Sequence, residues 1–269
     1  MINIHERALK RIAPLMERVL TVDAEPASAR ALTGLLRDIA PCQVWRAGDV
    51  EQGLQVAETV NPHVIFVELD EAVDGLAFTR RLRRGYHACR RTPVIVCTAT
   101  ATLAAIVGAR DAGAHEFLRK PFTGADLVRR IETVTQRKRD WVEAVTYVGP
   151  DRRRFNDGNY AGPLKRLADQ PQTSIEARVM QALRIARSAA AAMDEDPRQA
   201  LRALSAQASD LRAAGDAMGN PALTVAAEAL AVTLALAGGE APPASVLEAQ
   251  LAELMTFMPG EVPAVSSAA

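Results

Sequence analysis

The sequence predicts an α/β domain built on a five-stranded parallel sheet, followed by an all-α four-helix bundle. Between Arg18 and Ala144, strand-length apolar runs alternate five times with segments of helical period, the pattern of parallel strands joined by helical crossovers. One run, Val64 to Val67 behind Pro62, is apolar at every position, as a strand covered on both faces must be. Beyond Gln172 the strand pattern stops, and Leu and Ala recur at helical spacing between Asp-Pro and Asn-Pro pairs.

A chain of 269 residues with 49% apolar content has room for two packed cores, and its low aromatic content of 4% points to Ala-rich helix packing. Net charge is zero but unevenly spread: residues 173–269 hold 6 basic against 11 acidic side chains, and the rest holds 26 against 21. An acidic C-terminal part argues against nucleic-acid binding there. Cys42, Cys89 and Cys97 are too few and too scattered for a disulfide scaffold or zinc site. No apolar run is long enough for a membrane span, and no signal-peptide core is visible. The expectation is a soluble cytoplasmic protein with no membrane partner.

Residues 1–17 read as a short helical extension interrupted by Pro14. Arg18 to Val22 is the first strand, and Pro26 opens a helix through Ile39. Gln43 to Arg46 is the second strand, and Asp49 caps a helix through Val60. The all-apolar third strand delivers Glu68 to its carboxyl end, the end at which open α/β sheets build their sites. A helix follows from Leu76 to Arg84, then the strand Val94 to Thr98, then a helix from Ala101 to Ala112 stopped by Gly113. His115 to Arg119 is the fifth strand, and a long helix runs from Gly124 to Ala144.

Four stretches resemble response-regulator receiver domains, the modules of two-component signalling. VLTVDAEP at 19–26 resembles their acidic first strand. Pro62 to Gly75, ending in Asp-Gly, resembles the phosphoacceptor strand and loop. TPVIVCTA at 92–99 and DAGAHEFLRKPF at 111–122 resemble the fourth and fifth strands. The resemblance spans about half the chain and implies a flavodoxin-like, doubly wound sheet. It also implies a site residue by residue: Asp23 and Ala24 as the acid pair with Glu25 next door, Glu68 as the phosphoacceptor, Thr98 as the hydroxyl, Phe117 as the switch aromatic and Lys120 as the lysine. Family members hold a magnesium ion (Mg2+) on the acid pair. Here Ala24 cannot bind metal, and Glu68 is one methylene longer than the Asp it replaces. From its greater length, Glu68 is expected to reach Lys120 and Thr98 directly, either as a mimic of the phosphorylated state or as an inert ion pair. Asp70 is the alternative acceptor. His63 and His115 are expected at strand edges.

Residues 18–146 are thus expected to form the receiver-like domain and 147–172 a basic Gly-Pro linker. The linker carries a weak repeat, Tyr147-Val-Gly-Pro-Asp-Arg-Arg against Tyr160-Ala-Gly-Pro-Leu-Lys-Arg. It reads either as a tether or as a recognition segment for an acidic partner. The bundle spans 173–258: Thr173 with Glu176 as a capping box and a helix through Met193, then helices from Asp196-Pro197 to Met218, Asn220-Pro221 to Leu236, and Pro243 to Met258. Residues 259–269 read as a disordered tail.

Residues 209–230 resemble the core of histidine-phosphotransfer domains, with Arg212, Ala213, Gly219 and Leu223 at the expected offsets and Ser209 where the phosphorylated His would stand. No histidine lies beyond His115. Both halves then resemble phosphorelay parts lacking their phosphorylatable residue. The function expected is a non-enzymatic adaptor that binds histidine kinases, phosphotransfer proteins or receiver domains, with a homodimer open. A phosphorylatable regulator and a nucleic-acid-binding output module are the alternatives.

Overall fold

The computed structural model describes residues 9–137, 139–152 and 175–258, and these divide into two compact units. The first comprises the described residues up to Val142 together with 147–152; the second comprises 143–146 and the described residues from 175 onward.

In the first unit, β1 (Arg18–Val22), β2 (Gln43–Ala47), β3 (Val64–Glu68), β4 (Val94–Thr98) and β5 (Glu116–Arg119) form one sheet in the order β2-β1-β3-β4-β5. Every pairing is parallel. The connecting helices are α1 (Pro26–Ile39), α2 (Val50–Val60), α3 (Gly75–Arg84) and α4 (Leu103–Ala112), with α5 (Gly124–Gln136) after β5. Strand order reverses between β1 and β3, which opens a crevice at their carboxyl ends. Two apolar cores cover the two sheet faces. One gathers Val19, Phe66, Ile95 and Leu127; the other gathers Leu20, Ile65, Val96 and Phe117. Ile12 and Met16 are fully buried in the first, so the end of the N-terminal extension is part of this core.

Local chemistry explains the element ends. Pro26 opens α1, and Asp49 accepts from the Gln52 amide at 2.8 Å to cap α2. Helix α4 starts at Leu103 rather than at the expected Ala101, because Thr102 caps it by accepting from the Ala105 amide. Gly113 ends α4 at φ 93°, and a Cβ there would also stand 2.7 Å from the Val148 carbonyl.

The helix expected to reach Ala144 ends at Gln136. Arg137 turns extended, and the chain then forms β6 (Trp141–Glu143), which pairs with β7 (Val148–Pro150). Tertiary contacts outweigh helix propensity here. Arg139 reaches the fully buried Glu116 at 2.8 Å, Arg130 binds the same carboxylate at 2.8 Å, and the Trp141 ring lies 5.3–5.6 Å from the guanidinium carbons of Arg83, Arg90 and Arg91. The start of the expected linker is likewise ordered: Tyr147 and Val148 are buried, and Arg152 stacks on the Tyr147 ring at 4.5 Å. The rest of the linker, the second copy of its repeat, Thr173 and the expected tail lie outside the described residues.

Arg83 anchors this corner. It is 1% exposed and donates to the carbonyls of Gly113 (2.9 Å), Arg90 (2.7 Å) and Thr92 (2.9 Å) and to His115 Nδ1 (3.2 Å). His115, expected at a strand edge, is therefore a buried acceptor, and burial together with Arg83 and Arg139 pushes its pKa well below the ordinary imidazole value. Above about pH 6.5 the group is neutral in both folded and unfolded chains; below it the unfolded chain takes up a proton that the folded one refuses. Stability should fall as pH drops below about 6.5, by up to about 1.4 kcal/mol per pH unit for this group. His115→Gln should flatten that slope in urea titrations between pH 5 and 8.

The second unit contains α6 (Ile175–Ala191), α7 (Pro197–Met218), α8 (Pro221–Leu236) and α9 (Ala244–Met255), which share one core. Leu183, Ala186, Leu201, Leu204, Ala208, Leu211, Leu223, Ala226, Ala227 and Leu230, at helical spacing in the sequence, are buried in it, and Ala190 is partly buried against it. The last helix stops at Met255, short of the expected Met258, and α6 stops at Ala191 rather than Met193. Residues 143–146 group with these helices. Glu143 is buried, accepts from Gln199 Nε2 at 3.1 Å and pairs with Arg202 at 3.4 Å, while Gln207 donates to its carbonyl. Residues 143–146 thus belong to the second unit, and 147–152 return to the first. No helix among the described residues is long and apolar enough to cross a membrane.

Candidate functional site

The crevice at the carboxyl ends of β1, β3 and β5 collects Asp23, Glu68 and Lys120. Each follows or ends a strand, so the parallel sheet brings together residues 45 and 52 positions apart in the chain. Lys120 Nζ lies 2.6 Å from Glu68 Oε2 and 3.3 Å from Asp23 Oδ2, and it donates to Ser28 Oγ at 2.7 Å. The Glu68 and Asp23 side chains are 6% and 7% exposed, and Lys120 is 25% exposed. Burial raises the Glu68 carboxyl above its ordinary range, and its hydrogen bond to Lys120 offsets only part of that. Burial alone would lower the Lys120 ammonium, but the Glu68 hydrogen bond and the Glu68 and Asp23 charges raise it, so it stays protonated.

Thr98 does not meet Glu68. Its hydroxyl donates to the Leu69 carbonyl at 2.7 Å and accepts from the Thr100 amide at 3.1 Å, which fixes the β3 and β4 loops to each other. Phe117 is buried in the core beneath the site. Ala24 and Glu25 are exposed; the Glu25 amide donates to Asp23 Oδ1 at 2.9 Å, and its side chain caps nothing at the start of α1. Asp70, the alternative acceptor, turns inward on its own loop, with Oδ1 accepting from the Ala72 and Val73 amides at 2.9 and 2.7 Å. Asp74 caps α3 through the Leu76 and Ala77 amides. Gly75 is required by proximity, since a Cβ would stand 2.4 Å from the Glu68 carbonyl oxygen. Cys97 pairs with Glu68 across β3 and β4, and burial pushes its thiol up, away from nucleophilic reactivity.

A divalent cation needs several oxygen ligands converging on open space. Here Asp23 and Glu68 both turn onto the Lys120 ammonium, and Ala24 supplies no ligand. Among the described residues no group of three or more His, Cys, Asp or Glu is arranged to hold a metal. The donor set therefore does not fit Mg2+. Ser28 is the site residue that the sequence did not flag; its only signal was a position in the first turn of the helix after Asp23.

The family described as "Response regulator receiver domain" matches residues 19–132. Residues 19–132 are a receiver domain. The chain is 30% identical over 129 residues to the transcriptional regulatory protein PdtaR of Mycobacterium tuberculosis, covering 48% of this chain and 61% of that protein. It is 29% identical over 118 residues to a probable chemotaxis protein CheY of Rhizobium etli, covering 44% of this chain and 91% of that one. Among solved structures, the receiver domain of a Pseudomonas aeruginosa sensor histidine kinase is 26% identical, covers 45% of this chain and 99% of its own, and has a TM-score of 0.41. That structure holds a magnesium ion in its active-site cleft. The chain spans about half to three fifths of the length of the first transcriptional regulators it matches. The relatives matched by this domain include transcriptional regulators.

Proposed function

We propose that this chain is an adaptor of two-component signalling whose receiver domain does not relay phosphate, a pseudo-receiver joined to a degenerate phosphotransfer-like four-helix bundle. The observation that carries this reading is the closed ion cluster: Lys120, which would neutralise an incoming phosphoryl group, is held by Glu68, Asp23 and Ser28. A longer carboxylate on Lys120 occupies the region where phosphoryl oxygens on a shorter Asp would lie. With Phe117 buried beneath it, the arrangement favours a fixed, active-like state.

The second unit supports a docking role. Ser209, Arg212 and Ala213 are exposed on α7, with the Ser209 hydroxyl donating to the Ser205 carbonyl and Arg212 lying 3.5 Å from Glu228. Such a face can meet receiver domains without transferring phosphate. Histidine kinases and phosphotransfer proteins are the partners proposed for the receiver domain.

The test is incubation with acetyl phosphate and magnesium, read by intact mass. The wild type should gain no phosphoryl mass, and the Glu68→Asp/Ala24→Asp variant should gain it. Phosphorylation of the wild type would overturn the reading and direct attention to Asp70.

A further inference from the structure

Helix α8 is apolar on two sides. Leu223, Ala226, Ala227, Leu230 and Leu234 face the core of the second unit. On the solvent side Val225, Ala229, Val232 and Leu236 recur at intervals of four, three and four residues, the spacing of a coiled-coil seam. Three of these are open to solvent: Val225 is 67%, Val232 48% and Leu236 83% exposed. Glu228 is the one charged residue among the 16 of this helix. A surface helix normally turns its charges outward, so a second apolar seam in their place calls for a partner.

From this seam we infer that a second copy of this chain packs on α8, seam against seam, across a two-fold axis. A knob pattern almost free of charge is complementary to itself and offers nothing to a strongly charged ligand. Its rim is complementary to itself as well, because Arg212 on α7 and Glu228 on α8 stand side by side at 3.5 Å, about half exposed. An isologous contact brings that opposite-charge pair to both edges. The seam also continues onto α9: Gln250 donates to the Ala229 carbonyl and the Thr233 hydroxyl, and Val246, one turn before it, is 41% exposed. The seam from Val225 to Leu236 is about 17 Å long, at the small end of specific interfaces, which points to a reversible dimer at micromolar concentration.

Sedimentation velocity on the full chain tests this. The wild type should dimerise. Val232 sits near the middle of the seam, close to its own copy in either orientation, so Val232→Glu and Val232→Lys should each weaken the dimer more than about tenfold. Mixing those two variants should restore it. Val225→Ser/Leu236→Ser should weaken it without adding charge, and the helical circular dichroism of all variants should match the wild type because the replaced side chains are exposed. A wild type that stays monomeric at its highest soluble concentration overturns the inference. So does a dimer that these variants leave intact, or a charge-swapped mixture that stays monomeric.

Discussion

Arg83→Met should lower the stability of the receiver domain by about 3–5 kcal/mol, because several buried acceptors lose a donor at about 1–3 kcal/mol each. The carbonyls of Gly113, Arg90 and Thr92 lose this donor together, and His115 Nδ1 is left with the Val94 amide alone at 3.3 Å. A buried acceptor left unpaired costs about 1–3 kcal/mol, and the shorter unbranched side chain satisfies none of the four. Arg83→Lys should recover little of the loss, because a single ammonium cannot reproduce a planar fork that reaches both α4 and the turn before β4. Burial and the neighbouring Arg90 already push the Arg83 pKa down to about 9, so the group is charged at neutral pH but held at a desolvation cost. Exposed Arg91 stacks on the same Trp141 ring at 5.3 Å, yet Arg91→Ala should cost no more than about 1 kcal/mol. Urea unfolding followed by Trp141 fluorescence in a Trp45→Phe background separates the outcomes. A loss at Arg83 no larger than that at Arg91 would remove the anchoring role.

Much of the fold was legible because its signals are local. Pro26, Asp49, Gly113, Pro197 and Pro221 act through their own backbone geometry and stand at the ends of the helices they were expected to bound. The β3 strand was legible for a different reason: a run apolar at every position can be covered only from both sides. The convergence of Asp23, Glu68 and Lys120 follows from strand polarity, since a parallel sheet puts all its carboxyl ends on one edge. The path beyond Gln136 was not legible. Residues 137–144 are acceptable in a helix, and what draws them away is distant in sequence: Glu116 for Arg139, Arg83 and the 90–91 pair for Trp141, and Gln199 for Glu143. The partner of the Thr98 hydroxyl was missed on similar grounds, because it is a loop carbonyl that no spacing rule identifies, although Thr98 ends β4 as expected.

The ion cluster itself yields the second large effect. Lys120→Gln should destabilise the receiver domain by about 3–5 kcal/mol at pH 7, because it leaves the buried Glu68 carboxylate beside Asp23 without a cation. Burial already raises the Glu68 carboxyl, and losing the Lys120 hydrogen bond and charge raises it further. A carboxyl whose folded-state pKa lies above its unfolded value costs stability as pH rises past the unfolded value, about 4.3. The defect should therefore shrink as the pH is lowered from 7 towards 5, where Glu68 takes up its proton and hydrogen-bonds as a neutral acid. Glu68→Gln/Lys120→Gln should be more stable at pH 7 than Lys120→Gln alone, since it removes the stranded charge along with its partner. Paired urea titrations at the two pH values give both comparisons. A defect independent of pH, and unrelieved by the second substitution, would mean that Lys120 supports the site by packing alone. The adaptor reading depends on the opposite result, in which one ammonium holds Glu68 and Asp23 together and is spent on them.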